Sequence, residues 1–127
     1  MCHQTVSLVA RHLEANGLPT VIMGCAKDIV EHCGVPRFLF SDFPLGNPAG
    51  RPFDLESQVQ TLELALRVLE SAPAARTIVQ SPLRWSADAS WKRDYLDLTT
   101  LSADTIAERR KEFDEVKTVA RAKREAS

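Results

Sequence analysis

The chain has 127 residues, 44% of them hydrophobic and 26% charged, with a formal net charge of −1. That is the length of one domain with enough apolar material for a core, and the near-neutral balance excludes a generic polyanion binder, which needs a basic excess. No apolar run approaches the roughly 18–20 residues that span a bilayer, and the first residues lack the basic and apolar stretches of a secretory leader. Three irregularly spaced cysteines make no disulfide framework, so reduced thiols in a cytoplasm are the expectation.

The first helix is expected from His3 to Asn16, with Val6, Val9, Ala10 and Leu13 at helical spacing and Gly17 as its stop. Thr20–Met23 reads as a short buried strand, Ala26–Cys33 as a short helix ended by Gly34, and Arg37–Phe40 as a second strand. Helix, strand, helix, strand is the rhythm of a parallel sheet, so the two strands should be adjacent and parallel, joined by the intervening helix in a right-handed crossover.

Residues 41–52 are too rich in proline and glycine for a regular element and predict a shaped loop. Asp54 then caps a long helix to about Ser71, with Leu55, Val59, Leu62, Leu66 and Leu69 on one face and Leu64 and Val68 widening it. That stripe predicts a well-buried helix. Pro73 ends it, and Thr77–Val79 supplies a third strand.

Residues 85–101 are polar, with Trp85, Trp91 and Tyr95 scattered among them, most simply as anchors of an irregular segment. A final helix from Ser102 to near Arg124 mixes acidic and basic residues around a thin stripe of Ile106, Phe113, Val116 and Ala120, as in a surface or docking helix. The expected fold is therefore one three-layer α/β domain with a short, mostly parallel sheet, residues 1–80 forming the core and 81–127 the outlying part. Three short strands leave sheet edges uncovered, which predicts self-association, edge to edge or through the last helix.

The chemistry-bearing residues cluster early. Cys25 follows a strand and precedes a helix, a position that falls on the carboxyl edge of a parallel sheet, where ligands bind. Helix N–H groups there, with Lys27 nearby, are expected to lower its thiol pKa. A small buried cysteine filling the turn is the plainer alternative. Cys2 opens the first helix beside His3, which could act as a base or modulate the thiol. Cys33 sits late in its helix and reads as packing, away from the carboxyl edge. No CxxC or HxxxH spacing supports a metal site. The loop Gly46-Asn47-Pro48-Ala49-Gly50-Arg51 offers backbone N–H groups and a guanidinium to an anion, without the order of a P-loop.

Several of these segments together resemble one family. They are the helix Cys2–Glu14, the strand entry Gly17-Leu18-Pro19-Thr20-Val21, Gly34-Val35-Pro36-Arg37-Phe38, and Phe43-Pro44-Leu45-Gly46-Asn47-Pro48. The family is component B of the glycine, sarcosine, betaine and D-proline reductases, the selenoprotein B family. The likeness runs from Cys2 to about Leu69, and Pro82-Leu83-Arg84-Trp85-Ser86 and Trp91-Lys92-Arg93-Asp94-Tyr95 are similar to segments of shorter, selenium-free relatives.

The resemblance implies thiol-based reductive cleavage of a C–N bond in a small amine or amino acid, with a disulfide as acceptor. Cys2 would be the resolving thiol, the attacking position falling upstream of Met1, so the activity is expected to be incomplete in this chain. His3 would modulate Cys2, Cys25 would be a second thiol, and Gly46, Asn47 and Arg51 would line the substrate pocket. No covalently bound cofactor is expected here. A pyruvoyl group would belong to a partner, and the partners would be other reductase subunits in a homo- or hetero-oligomer, with no nucleic acid or membrane. The competing expectation is a non-catalytic subunit or interaction domain keeping the same fold.

Overall fold

The computed structural model describes residues 2–96 and 101–125 of the chain. Its contacts divide it into two units, Met1–Ala87 and Asp88–Ser127. The first unit holds the sheet. Helix α1 (Cys2–Ala15) leads to strand β1 (Ile22–Gly24), helix α2 (Lys27–Cys33), strand β2 (Arg37–Phe40), helix α3 (Leu55–Ser71) and strand β3 (Thr77–Gln80). The sheet order is β1-β2-β3 and both pairings are parallel, with Ile22 opposite Phe38 and Phe38 opposite Ile78. The expected α/β architecture and the parallel neighbours are both present. β1 lies later than expected, ending on Gly24 and so directly before Cys25.

Local chemistry sets the element ends. Gly17 and Gly34 adopt left-handed φ values of 82° and 70°, and the Gly34 N–H closes α2 on the Val30 and Glu31 carbonyls. The Asp54 carboxylate accepts the Ser57 N–H at 3.0 Å, which caps α3 as its sequence requires.

Side chains alternate across β2 and define the layers. Phe38 packs with Ala10 of α1, Ile22 of β1, Val30 of α2 and Val35, and all five are buried. Leu39, fully buried and pointing the opposite way, lies on the face that α3 covers through its contact with β2. The sheet is therefore sandwiched, α1 and α2 on one side and α3 on the other.

The helices bury only part of the faces that the hydrophobic pattern suggested, Ala10 on α1 and Val68 on α3 among them. α1 turns Ser7 and Ala10 inward and leaves Val6 and Val9 about half exposed. α3 buries Ser57, Thr61, Ala65 and Val68, while Leu55, Val59, Leu62 and Leu66 remain exposed, so it is not the fully covered helix expected from its leucines. Small and hydroxylated residues let both helices approach closely. The buried hydroxyl of Thr61 is satisfied by donating to the Ser57 carbonyl at 2.7 Å.

The second unit contains α4 (Trp91–Leu96), a short helix where an irregular segment was expected, and α5 (Ala103–Glu125). Ser102 caps α5 by accepting the Thr105 N–H at 3.1 Å, and Ile106, Phe113 and Val116 are exposed on it. Lys92 sits over the Trp91 ring at 5.5 Å. Trp85, in the first unit, packs edge-on against Phe43 at 5.5 Å and anchors its segment as expected. The Tyr95 side chain lies outside the described residues.

The end of α1 is fastened to the sheet through Glu14. Its carboxylate accepts the Thr20 N–H at 2.5 Å, the Thr20 hydroxyl at 3.1 Å and the Arg37 guanidinium at 2.6 Å. Burial pushes this carboxyl up, but the Thr20 and Arg37 donors outweigh it and hold the group below the ordinary carboxylate range. A depressed folded-state pKa gives stability that is present above the unfolded value and lost as pH falls through the folded one. Glu14→Ala should cost about 1–2 kcal/mol at neutral pH. In urea titrations that difference should shrink as the pH falls below the ordinary carboxylate range.

Candidate functional site

The carboxyl ends of the three strands form one edge. The Ser41 N–H donates to the Gly24 carbonyl at 2.9 Å and the Ser81 N–H to the Phe40 carbonyl at 2.8 Å, carrying the ladder one residue past each of β2 and β3. Cys25 emerges beside Ser41 at this edge. Ser41 is fully buried, and its Oγ has no hydrogen-bond partner. The sequence reading did not single it out.

His3 joins α1 to this edge. Its Nε2 accepts the Cys25 backbone N–H at 3.1 Å. An accepting Nε2 places the ring proton on Nδ1. The contact depends on Gly24, because a Cβ there would lie 2.9 Å from the Phe38 ring and 3.0 Å from the His3 ring. His3 is itself steadied by Ser7, whose hydroxyl donates to the His3 carbonyl at 2.6 Å. Cys2 is exposed, one residue before His3 at the first position of α1, so it and Cys25 stand at the same end of the sheet.

Cys33 stands elsewhere. Its carbonyl accepts the Arg11 guanidinium at 3.1 Å, and Arg11 is nine residues along α1 from Cys2, a rise of about 13 Å. Cys33 therefore lies away from the carboxyl edge that carries Cys25, as expected.

The environment of Cys25 differs from the expected one. α2 begins at Lys27 with Ala26 as its cap, and no side chain caps it. The thiol is instead enclosed by the loop after β2. Burial pushes the Cys25 thiol up, the backbone N–H groups of Asn47 and Phe43 draw it partway back, and the Asp42 carboxylate pushes it up again. The net displacement is upward, opposite to the lowered value that a helix N-terminus predicts. Lys27 does not offset it, since its ammonium faces Glu31 at 3.8 Å on the same helix.

The loop residues divide into two roles. Gly46 takes a φ of 99°, and Asn47 follows it with its side-chain amide donating to the Pro44 carbonyl at 3.2 Å. Gly46, Asn47 and Pro48 form one wall of a cleft of about 350 Å³, opposite Met23 of β1 and Gln58 and Leu62 of α3. Arg51 is committed to structure. Its guanidinium pairs with Asp54 at 2.5 Å and its N–H donates to the Ser57 hydroxyl at 2.8 Å. It braces the start of α3, so the substrate-facing guanidinium expected from the sequence is otherwise engaged. Gly50 permits that bracing, because a Cβ at its φ of 110° would meet the Gln58 backbone at 2.8 Å. Among the described residues no cluster of His, Cys, Asp and Glu could hold a metal ion.

Gly24→Ala should displace His3 or the fully buried Phe38 ring and cost about 1–3 kcal/mol. Chemical denaturation measures the cost. Two-dimensional NMR should show the shift changes concentrated on His3 and Cys25.

Comparison with known proteins places this edge in context. D-proline reductase subunit gamma of Acetoanaerobium sticklandii is 33% identical to the chain over 86 residues. The aligned part is 68% of this chain and 36% of that subunit, so the chain spans little more than a third of the curated relative it matches. No family model matches the chain, and no solved structure matches it significantly. Over its matched part, the chain is related to a reductase subunit.

Proposed function

We propose that this chain is a thiol-bearing module of a reductase assembly of the D-proline reductase kind, of the selenoprotein B type. In that assembly it contributes to reductive cleavage of a C–N bond in a small amine or amino acid. The observation that carries the reading is the joining of Cys2-His3 to Cys25 at one carboxyl edge through the His3 Nε2 to Cys25 N–H bond, beside a cleft of small-molecule size. The kinship with the gamma subunit supports the same reading.

Cleaving a C–N bond reductively takes two electrons and two protons. Two thiols supply both as they join in a disulfide, one proton going to carbon and one to nitrogen. In this scheme Cys2, exposed at the start of α1, is the resolving thiol, and the attacking thiol or selenol comes from outside the described residues. His3 is a positioning residue, since its Nε2 holds the Cys25 backbone. Cys25 is a reserve thiol that stays protonated at neutral pH and lies under the Asn47 and Phe43 N–H groups. Gly46 and Asn47 shape the cleft. A carbonyl group such as a pyruvoyl, carried by another subunit, would supply activation of the substrate α-carbon. The three free cysteines suit a reducing compartment such as the cytoplasm.

A second reading is a non-catalytic subunit with the same fold. The raised Cys25 thiol and the exposed apolar residues of α5 favour it.

Alkylation by iodoacetamide, followed by mass spectrometry, separates the two. The thiol module should modify Cys2 first near neutral pH, with Cys25 reacting only above the ordinary thiol range, because its raised pKa keeps the thiolate scarce below it. In the assembled enzyme, Cys2→Ser should lower dithiol-dependent reduction of D-proline by about a hundredfold or more, some 2.7 kcal/mol of barrier, with an unchanged far-UV spectrum. Cys33 reacting first, or full activity in Cys2→Ser, favours the non-catalytic subunit.

A further inference from the structure

The sheet register continues past the strands and lines up three side chains at the carboxyl edge. Gly24 pairs with Phe40 and Phe40 with Gln80, so the next residues, Cys25, Ser41 and Ser81, follow one another across the ends of β1, β2 and β3. The bonds from the Ser41 N–H to the Gly24 carbonyl and from the Ser81 N–H to the Phe40 carbonyl carry the ladder to this row. Alternation puts the row on the face of Met23 and Leu39, which α3 covers. Neighbouring strands stand about 4.8 Å apart, so Ser41 has Cys25 on one side and Ser81 on the other.

The two hydroxyls of the row differ. Ser81 is 4% exposed, and its Oγ accepts the Leu83 N–H at 3.3 Å. Ser41 is 0% exposed, and its Oγ has no partner. A hydroxyl taken out of water without a hydrogen bond is a cost to the fold that an alanine would avoid. The neighbour that has a use for a donor is Cys25. Its sulfur draws on the backbone N–H groups of Phe43 and Asn47. Both are shared, because Phe43 also donates to the Ser41 carbonyl at 2.8 Å and Asn47 to the Pro44 carbonyl at 3.2 Å.

The charged groups around Cys25 give a negative sulfur no help. Asp42 on the loop opposes it. Lys27 of α2 faces Glu31, and Arg51 and Asp54 before α3 pair with each other. The His3 ring of α1 is engaged with the Cys25 backbone N–H.

We infer that Ser41 is the positioning residue of Cys25, its hydroxyl held without a partner so that it turns and donates to the Cys25 sulfur when that sulfur carries charge. A thiol enters exchange with a disulfide only as the thiolate, and a hydrogen bond to the charged form favours that form. The lone hydroxyl is thus a cost of the resting, protonated state, offset once the sulfur ionises. The role rests on Cys25 being the reserve thiol of the proposed module.

Iodoacetamide alkylation of the full chain over a series of pH values, read by mass spectrometry, tests this role. Ser41→Ala should move the Cys25 midpoint up by about one pH unit, about a tenfold lower rate below it, with the Cys2 rate unchanged. The urea midpoint of Ser41→Ala at neutral pH should be equal to or above that of the wild type, because no hydrogen bond is lost from the protonated state. Ser81→Ala, one strand further, should leave the Cys25 midpoint where it is. An unmoved Cys25 midpoint in Ser41→Ala, or an equal shift in Ser81→Ala, overturns the inference. So does a lowered urea midpoint or an unfolded Ser41→Ala, which would give the hydroxyl a structural partner. The order in which Cys2 and Cys33 react tests the thiol module separately, in the wild type.

Discussion

β1 ends where its last outward backbone donor, the Cys25 N–H, would face an open edge, and the imidazole of His3 supplies the acceptor at 3.1 Å. The rest of the site follows from that bond. It sets the start of α1 against the end of β1, brings Cys2 and Cys25 to the same end of the sheet, and fixes which nitrogen of His3 carries the proton. It also requires a residue without a side chain at position 24, where any Cβ would press on Phe38 and His3. An unpaired backbone donor at a partly buried strand end is costly, so the hydrogen bond is at once a structural and a chemical constraint.

The thiol site that results is shielded. Cys25 gains two N–H donors from the loop after β2 but loses more to burial and to Asp42, which leaves a protonated thiol rather than a nucleophile at neutral pH. Cys2, by contrast, is exposed at the first position of α1. One edge thus holds two cysteines of unequal accessibility. That suits a division of labour in which the exposed thiol exchanges with partners and the enclosed one is held back. The loop that encloses Cys25 is braced through Arg51, Asp54 and Ser57, so the same contacts that start α3 also fix the cleft wall.

The strand runs and their parallel order were legible because Ile22-Met23 and Arg37–Phe40 are short apolar runs punctuated by Gly17, Gly34 and the proline-rich loop. The position of Cys25 at the carboxyl edge followed from that order. The buried helix faces were legible only in part: Ala10 and Val68 stood in the expected stripes, whereas Ser7, Ser57, Thr61 and Ala65 are small or hydroxylated, and hydrophobic patterning ranks them below the valines and leucines that the fold leaves outside. The pairing of His3 with the Cys25 backbone crosses 22 residues and arises from how α1 lies over β1, so the sequence suggested only its neighbour Cys2 as a partner. The thiol pKa was misread for a related reason. The charge-stabilising helix start lies past the cysteine, and the groups that set its ionisation come from the distant loop at Asp42, Phe43 and Asn47.

Amide hydrogen exchange at Cys25, read by NMR in the wild type and in His3→Ala, tests most directly whether the imidazole holds this edge together. The Cys25 amide is predicted to be protected in the wild type and to exchange about tenfold or more faster in His3→Ala, while amides in the β2–β3 ladder keep their rates. An unchanged Cys25 rate on removal of the imidazole would contradict the account.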